Sequence, residues 1–123
     1  MLTEEEVRAA LRDCYDPEIP CNIVDLGLLQ TIEIAEDPEA PGTGIAGVPR
    51  KHRVAVALRL SNPTEDTKAQ LSAQIANRLA GLEAVSRTSI HILSTPQWTP
   101  QDITPLGRRT LGLDGNPTLV QIR

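Results

Sequence analysis

The chain is poor in aromatic residues. Its 123 residues include one Trp, one Tyr and no Phe. A core must therefore be built from Leu, Ile, Val and Ala, and a row of rings for stacking single-stranded nucleic acid is excluded. Excess positive charge is also lacking. The formal net charge is −4, which opposes binding to nucleic acid or to an anionic membrane surface. The basic runs Arg50, Lys51, Arg53 and Arg108, Arg109 are too short for a binding patch and read as solvated faces. No apolar run approaches the roughly 20 residues of a membrane span. The N-terminal MLTEEEVRAALRD is acidic and lacks the layout of a signal peptide. These features predict a cytoplasmic protein, with Cys14 and Cys21 as free thiols in a reducing compartment.

Recognisable catalytic machinery is equally scarce. The sequence has no glycine-rich phosphate loop before a helix, no GxSxG and no HExxH. His52 and His91 are far apart, and His91 alternates with Ile90 and Ile92, which makes it a surface strand residue. Cys14 and Cys21 are spaced more widely than the two to four or so intervening residues of a zinc pair. Cys14 also continues an apolar helix stripe, so it reads as a small core residue.

What is present is a single-domain pattern. Thr3 with Glu6 forms a capping box, and Val7, Ala10, Leu11 and Cys14 lie on one helical face. That helix must end before Asp16-Pro17. DPEIPCNIVDLG, from Asp16 to Gly27, reads as an ordered connection. Three strands are predicted: Leu28 to Ile34 with Leu28, Ile32 and Ile34 inward, Arg53 to Leu60 with Val54, Val56, Leu58 and Leu60 inward, and Thr88 to Leu93 with Ile90 and Ile92 inward. The Pro- and Gly-rich stretch between the first two, centred on Asp37 to Pro49, reads as a flexible exposed loop. Before the third strand comes a helix with Asn62 as N-cap, Pro63 at N1, Glu65 at N3, a stripe of Leu71, Ile75, Leu79 and Leu82, and Gly81 at its end. A strand–helix–strand crossover makes the second and third strands parallel. Thr99-Pro100 and Thr104-Pro105 are two further helix starts, the last helix ending near Gly112. The predicted fold is a two-layer α+β domain over residues 1–113, in the order helix, strand, strand, helix, strand, short helix, with a three-stranded mixed sheet and a tail over 114–123.

DPEIPCNIVDLGLL closely resembles the signature of the iron–sulfur cluster assembly accessory proteins, the SufT-like and PaaD-like group, in which the run is typically Asp-Pro-Glu-(Ile/Leu)-x-x-x-(Ile/Val)-x-x-Leu-Gly-Leu. LRLSNPTED falls where that family has a strand leading into Thr-x-Pro-x-Cys and a helix. TPQWTPQDITPLGRRTLGL resembles its closing Pro-x-Trp-x-Pro segment and basic helix. The three blocks occur in the right order. The resemblance implies a small α+β domain of that family's type (FSCA-like) and a role in maturing iron–sulfur or other metal-dependent proteins. It implies a site joining Asp16 and Glu18 to Ser61, Asn62 and Pro63. One departure matters: the family's cysteine would fall at Glu65. A thiol in a first helical turn is activated by the helix N-terminus, whereas Glu65 keeps the negative charge and removes the thiol chemistry.

Three readings follow, beside that of a stand-alone interaction module unrelated to metal maturation. The first is a non-enzymatic adaptor that binds the assembly machinery or a client metalloprotein and holds no cluster on its own cysteines. The second is a carrier of transient iron or an iron–sulfur cluster through Cys21, with a homodimer pairing two thiolates and oxygens from Asp16, Glu18 and Glu65 assisting. One thiolate per chain suits a soft cluster poorly. The third is an enzyme using Asp16, Glu18 and Glu65 as acid and base, against which stands the plainer reading of a turn former, a solvated residue and a helix cap. Trp98, the sole Trp, is either a lid on the core or an anchor for a partner.

Overall fold

The computed structural model describes residues 2–42, 44–48 and 50–112. The expected tail over 114–123 and the domain limit at 113 lie outside the described residues. Helix α1 spans Glu4–Leu11, strand β1 Leu29–Glu36, strand β2 His52–Leu58, helix α2 Glu65–Ala80, strand β3 Val85–Ile92 and helix α3 Pro105–Leu111, the last preceded by a 3₁₀ turn at Pro100–Asp102. The sheet order is β1-β2-β3, with β1 antiparallel to β2 and β2 parallel to β3. The α+β class, element order and mixed sheet are those expected from the sequence.

Local chemistry explains the boundaries. Thr3 Oγ1 accepts from the Glu6 N–H and Glu6 Oε1 from the Thr3 N–H, the reciprocal capping box that starts α1. Gly112 ends α3 with φ +76°, a left-handed cap that glycine adopts without steric cost. The start of α2 differs from expectation. Its N-cap is Thr64, whose Oγ1 accepts from the Thr67 N–H, so Glu65 stands at N1 rather than N3 and Pro63 precedes the helix. Asn62 lies two residues before the cap, and its side-chain Nδ2 donates to Glu18.

Strand β1 also departs from simple alternation. Leu29 pairs with Leu58 while Thr31 pairs with Ala57, so Gln30 is the extra residue of a bulge. The bulge brings Leu29, in place of Leu28, onto the row of Ile32 and Ile34. Leu28 is buried nonetheless. Val54, Val56 and Leu58 form the centre of the core, with Leu71, Ile75 and Leu79 of α2 and Val7 and Leu11 of α1. Cys14, just past α1, and Cys21 are buried in the same cluster. Ile90 and Ile92 pack against it from β3, and His91 is exposed on the other face.

The connection after β1 is anchored at its base, contrary to the reading of an entirely exposed loop. Asp37 is 3% exposed: its N–H donates to the Lys51 carbonyl, its Oδ2 accepts from Ser86 Oγ at 2.7 Å and its Oδ1 from the Glu39 N–H. The Ser86 bond first, then the Glu39 N–H and the nearby Arg53 and Arg87, hold its carboxyl below the usual range, against the opposing effect of burial. A carboxyl that is more acidic folded than unfolded stabilises the fold above the unfolded value of 3.8 and loses that contribution as pH falls through the folded value. In urea titrations, wild type is therefore expected to lose stability more steeply below pH ~4 than Asp37→Asn. Parallel acid profiles for the two proteins would contradict this account.

Candidate functional site

The segment from Asp16 to Gly27 is a scaffold built on carboxylates and backbone. Asp16, 6% exposed, accepts at Oδ1 from the N–H groups of Glu18 and Ile19, at 2.7 and 2.8 Å. Its Oδ2 accepts from Ser61 Oγ at 2.6 Å, across 45 positions of sequence. Next to this, Asn62 Nδ2 donates to Glu18 Oε2. Two parallel ties thus join the Asp-Pro-Glu loop to the link between β2 and α2. Further along, Asn22 and Asp25 bond reciprocally. The Asp25 carbonyl accepts from both Oγ1 and N–H of Thr104, and the Leu26 carbonyl from Trp98 Nε1.

The close approach of the closing segment explains two glycines. A Cβ on Gly27, whose φ is +76°, would lie 2.0 Å from the Asp102 carbonyl oxygen, and one on Gly107 would lie 2.4 Å from that of Asp25. Arg59 ties the same segment to the sheet. Its guanidinium donates to the carbonyls of Pro96 and Gln97 and pairs with Asp102 at 3.3 Å, with the side chain only 10% exposed. Its Nε is buried with no hydrogen-bond partner among the described residues.

Between these parts lies a cavity of about 480 Å3. Ser61, Pro63 and Glu65 line it from the β2–α2 side, Leu93 from the end of β3, Trp98 from the closing segment, and Arg59 and Lys68 supply positive charge. Glu65 is exposed at the first helical position, a place where acidic side chains are common. Trp98 is half-buried, so it both covers the core and walls the cavity. Leu93 is 37% exposed, an apolar surface at the cavity's edge.

The structure brings Asp16 together with Ser61, and Glu18 with Asn62, and places Pro63, Glu65 and Trp98 around one cavity. Cys21 is not part of its lining. Its thiol is buried, and burial first, then the charge of Asp25, pushes its acidity down (the pKa up), opposed by the Asn22 N–H. The Cys14 thiol is likewise raised, chiefly by burial. Among the described residues no group of three or more His, Cys, Asp and Glu is placed to hold a metal ion. Arg59, Lys68 and Leu93 were not expected here. Arg59 alternates with inward-facing residues and so reads as solvated; only the distant segment holding Pro96, Gln97 and Asp102 covers it. Lys68, on an exposed helix turn, carries no sequence signal.

A mixed three-stranded sheet covered by helices, with a carboxylate-tied loop beside a helix start, defines a small α+β domain. The chain belongs to the iron–sulfur cluster assembly protein family, whose model matches residues 4–92. It is 27% identical over 96 residues to an Fe-S protein maturation auxiliary factor of Porphyromonas gingivalis, covering 78% of each chain. It is 26% identical over 110 residues to the Fe-S protein maturation auxiliary factor YitW of Bacillus subtilis, covering 89% of this chain and 94% of that one. Among solved structures, a DUF59 domain of Bacillus anthracis superposes with a TM-score of 0.68 at 17% identity, over 90% of this chain and 92% of the other. A Mycobacterium tuberculosis protein associated with [Fe-S] complex assembly and repair gives 0.51 at 26% identity, over 91% and 86%.

Asp16→Ala removes an acceptor for three donors, two of them backbone N–H groups. It is expected to destabilise the fold by about 2–3 kcal/mol, and Ser61→Ala by about 1 kcal/mol. Urea midpoints check this; equal, negligible losses would show that the tie carries no energy.

Proposed function

We propose that this chain is an accessory factor in the maturation of iron–sulfur proteins, which acts by docking a partner at the cavity beside Glu65 and holds no cluster on its own thiols. The partner is a component of the assembly machinery or a client metalloprotein. Residues 1–113 are the working unit, in a cytoplasmic setting, and the role is not enzymatic. The supporting relatives are named as maturation auxiliary factors. The observation that carries the mechanism is the contrast between Glu65 and the cysteines: the exposed first turn of α2 offers a carboxylate, while both thiols are buried in the core.

The cavity suits docking. Leu93 and Trp98 offer apolar surface to an anchoring side chain, and Lys68 offers a charge at its edge. The ties from Asp16 to Ser61 and from Glu18 to Asn62 fix its wall before a partner arrives, which lowers the entropy lost on binding. In this reading Asp16 and Glu18 are positioning residues. A carrier mechanism through Cys21 would first have to expose a buried, poorly acidic thiol.

The test is maturation of an iron–sulfur enzyme in cells that depend on this chain, measured as that enzyme's activity per unit of protein. Leu93→Asp and Lys68→Glu are expected to lower it about tenfold, in line with loss of a docking contact. Cys14→Ala combined with Cys21→Ala is expected to leave it within about twofold, after correction for chain abundance. Loss of activity in the folded cysteine variant, with full activity in the cavity variants, would overturn the proposal.

A further inference from the structure

The basic run Arg50, Lys51, Arg53 is too short to form a patch by itself, and the fold adds to it. The register of β2 and β3 sets Arg87 beside Arg53, on the sheet face that α1 and α2 leave uncovered among the described residues. Neighbouring strands lie about 4.8 Å apart, so two like charges rise from adjacent backbones and repel. One carboxylate offsets them: Arg53 Nε lies 4.0 Å from Asp37 Oδ1, and Arg87 Nε 4.0 Å from Asp37 Oδ2. Those separations exceed a hydrogen bond, and both oxygens of Asp37 already accept closer donors, the Glu39 N–H and Ser86 Oγ. Asp37 is buried, whereas the Arg53 and Arg87 side chains are 47% and 63% exposed. Two cations therefore share a single opposing charge, and neither guanidinium has a hydrogen-bond partner among the described residues.

The rest of the face decides which anion fits. A shallow depression of about 580 Å3 adjoins Arg53, with Ala35, Ala55 and Ser89 in its lining, small side chains over which another chain can lie. The outward residues are Thr31, Glu33 and Ala35 on β1, Arg53, Ala55 and Ala57 on β2, and Arg87, Ser89 and His91 on β3. Positive charge thus lies on β2 and β3, and the one acid, Glu33, on the opposite edge strand. We propose that Arg53 and Arg87 together hold a carboxylate of an acidic segment in a partner protein, laid along the β3 side of this face. A carboxylate there accepts a charge-assisted N–H bond from each guanidinium, and its charge relieves the repulsion that Asp37 offsets only in part. A polypeptide is the occupant rather than a nucleic acid, because the chain as a whole carries a charge of −4 and this face has no ring on which a base could stack. The site lies at the start of β2 and β3, and the cavity beside Glu65 lies past their ends, so the two surfaces are separate.

Fluorescence anisotropy on the full chain, with a labelled peptide of alternating glutamate and alanine as the probe, tests this. Saturable binding that weakens with salt is expected, and the matching glutamine–alanine peptide is expected not to bind. Arg53→Gln and Arg87→Gln are each expected to raise the dissociation constant at least about fivefold, and Glu33→Gln to lower it about twofold by removing the opposing acid. Circular dichroism checks that each variant folds. Absence of saturable binding, or binding that ignores both arginine substitutions, would overturn the proposal; loss in Lys68→Glu instead would place the peptide at the cavity beside Glu65. Tighter binding of an oligothymidylate at Arg53 and Arg87 would also overturn it and make the occupant a nucleic acid. Displacement of the peptide by an equal concentration of inorganic phosphate would do the same in favour of a free anion.

Discussion

The carboxylate of Asp16, with the parallel bond from Asn62 to Glu18, joins the loop after α1 to the link between β2 and α2. One oxygen turns the loop after α1 by accepting two backbone N–H groups, and the other accepts the hydroxyl of Ser61 at the end of β2. A buried carboxylate is costly unless its acceptor sites are filled, so this group specifies the loop and the β2–α2 link at once. Beside that tie stand the bond from Asn62 to Glu18, the Thr64 cap of α2 and the exposed Glu65 at its first position.

The far wall of the site depends on backbone carbonyls. Asp25 and Leu26 offer theirs to Thr104 and Trp98, and Gly27 and Gly107 let the chains approach where a Cβ would collide. Arg59 completes the joint from the sheet. Together these contacts hold the closing segment over the end of the sheet and shape the cavity. Cys14 and Cys21 are buried in the core, which raises their pKa values, so the surface around the Asp16–Gly27 loop presents oxygen and apolar groups rather than sulfur.

Much of this was legible in the sequence because it is local. Capping at Thr3, the stripe of Val7, Ala10 and Leu11, the alternation through Val54, Val56 and Leu58, and the crossover into β3 each need only a few neighbouring residues. The site was legible in outline, through Asp16, Glu18, Ser61, Asn62 and the glutamate at position 65. Features that depend on distant partners were not. The start of α2 falls later than expected because Thr64 Oγ1, rather than Asn62, caps the Thr67 N–H. The bulge at Gln30 moved Leu29 into the row assigned to Leu28. Asp37 looked like a loop residue until Ser86 was placed against it, and Arg59 looked solvated until a segment about forty residues later covered it (the separation in its bond to Pro96 is 37). Periodicity reports which face a residue takes, and it is silent on what a later segment will lay across that face.

The central claim is that the chain works without sulfur ligation of its own. The most direct measurement is anaerobic incubation with iron and sulfide, followed by desalting, metal analysis and a visible absorption spectrum. The account predicts that wild type retains no stoichiometric iron and shows no cluster absorption, and that Cys21→Ser behaves identically. Stoichiometric iron with a cluster spectrum in wild type, lost in Cys21→Ser, would contradict it and make Cys21 a ligand.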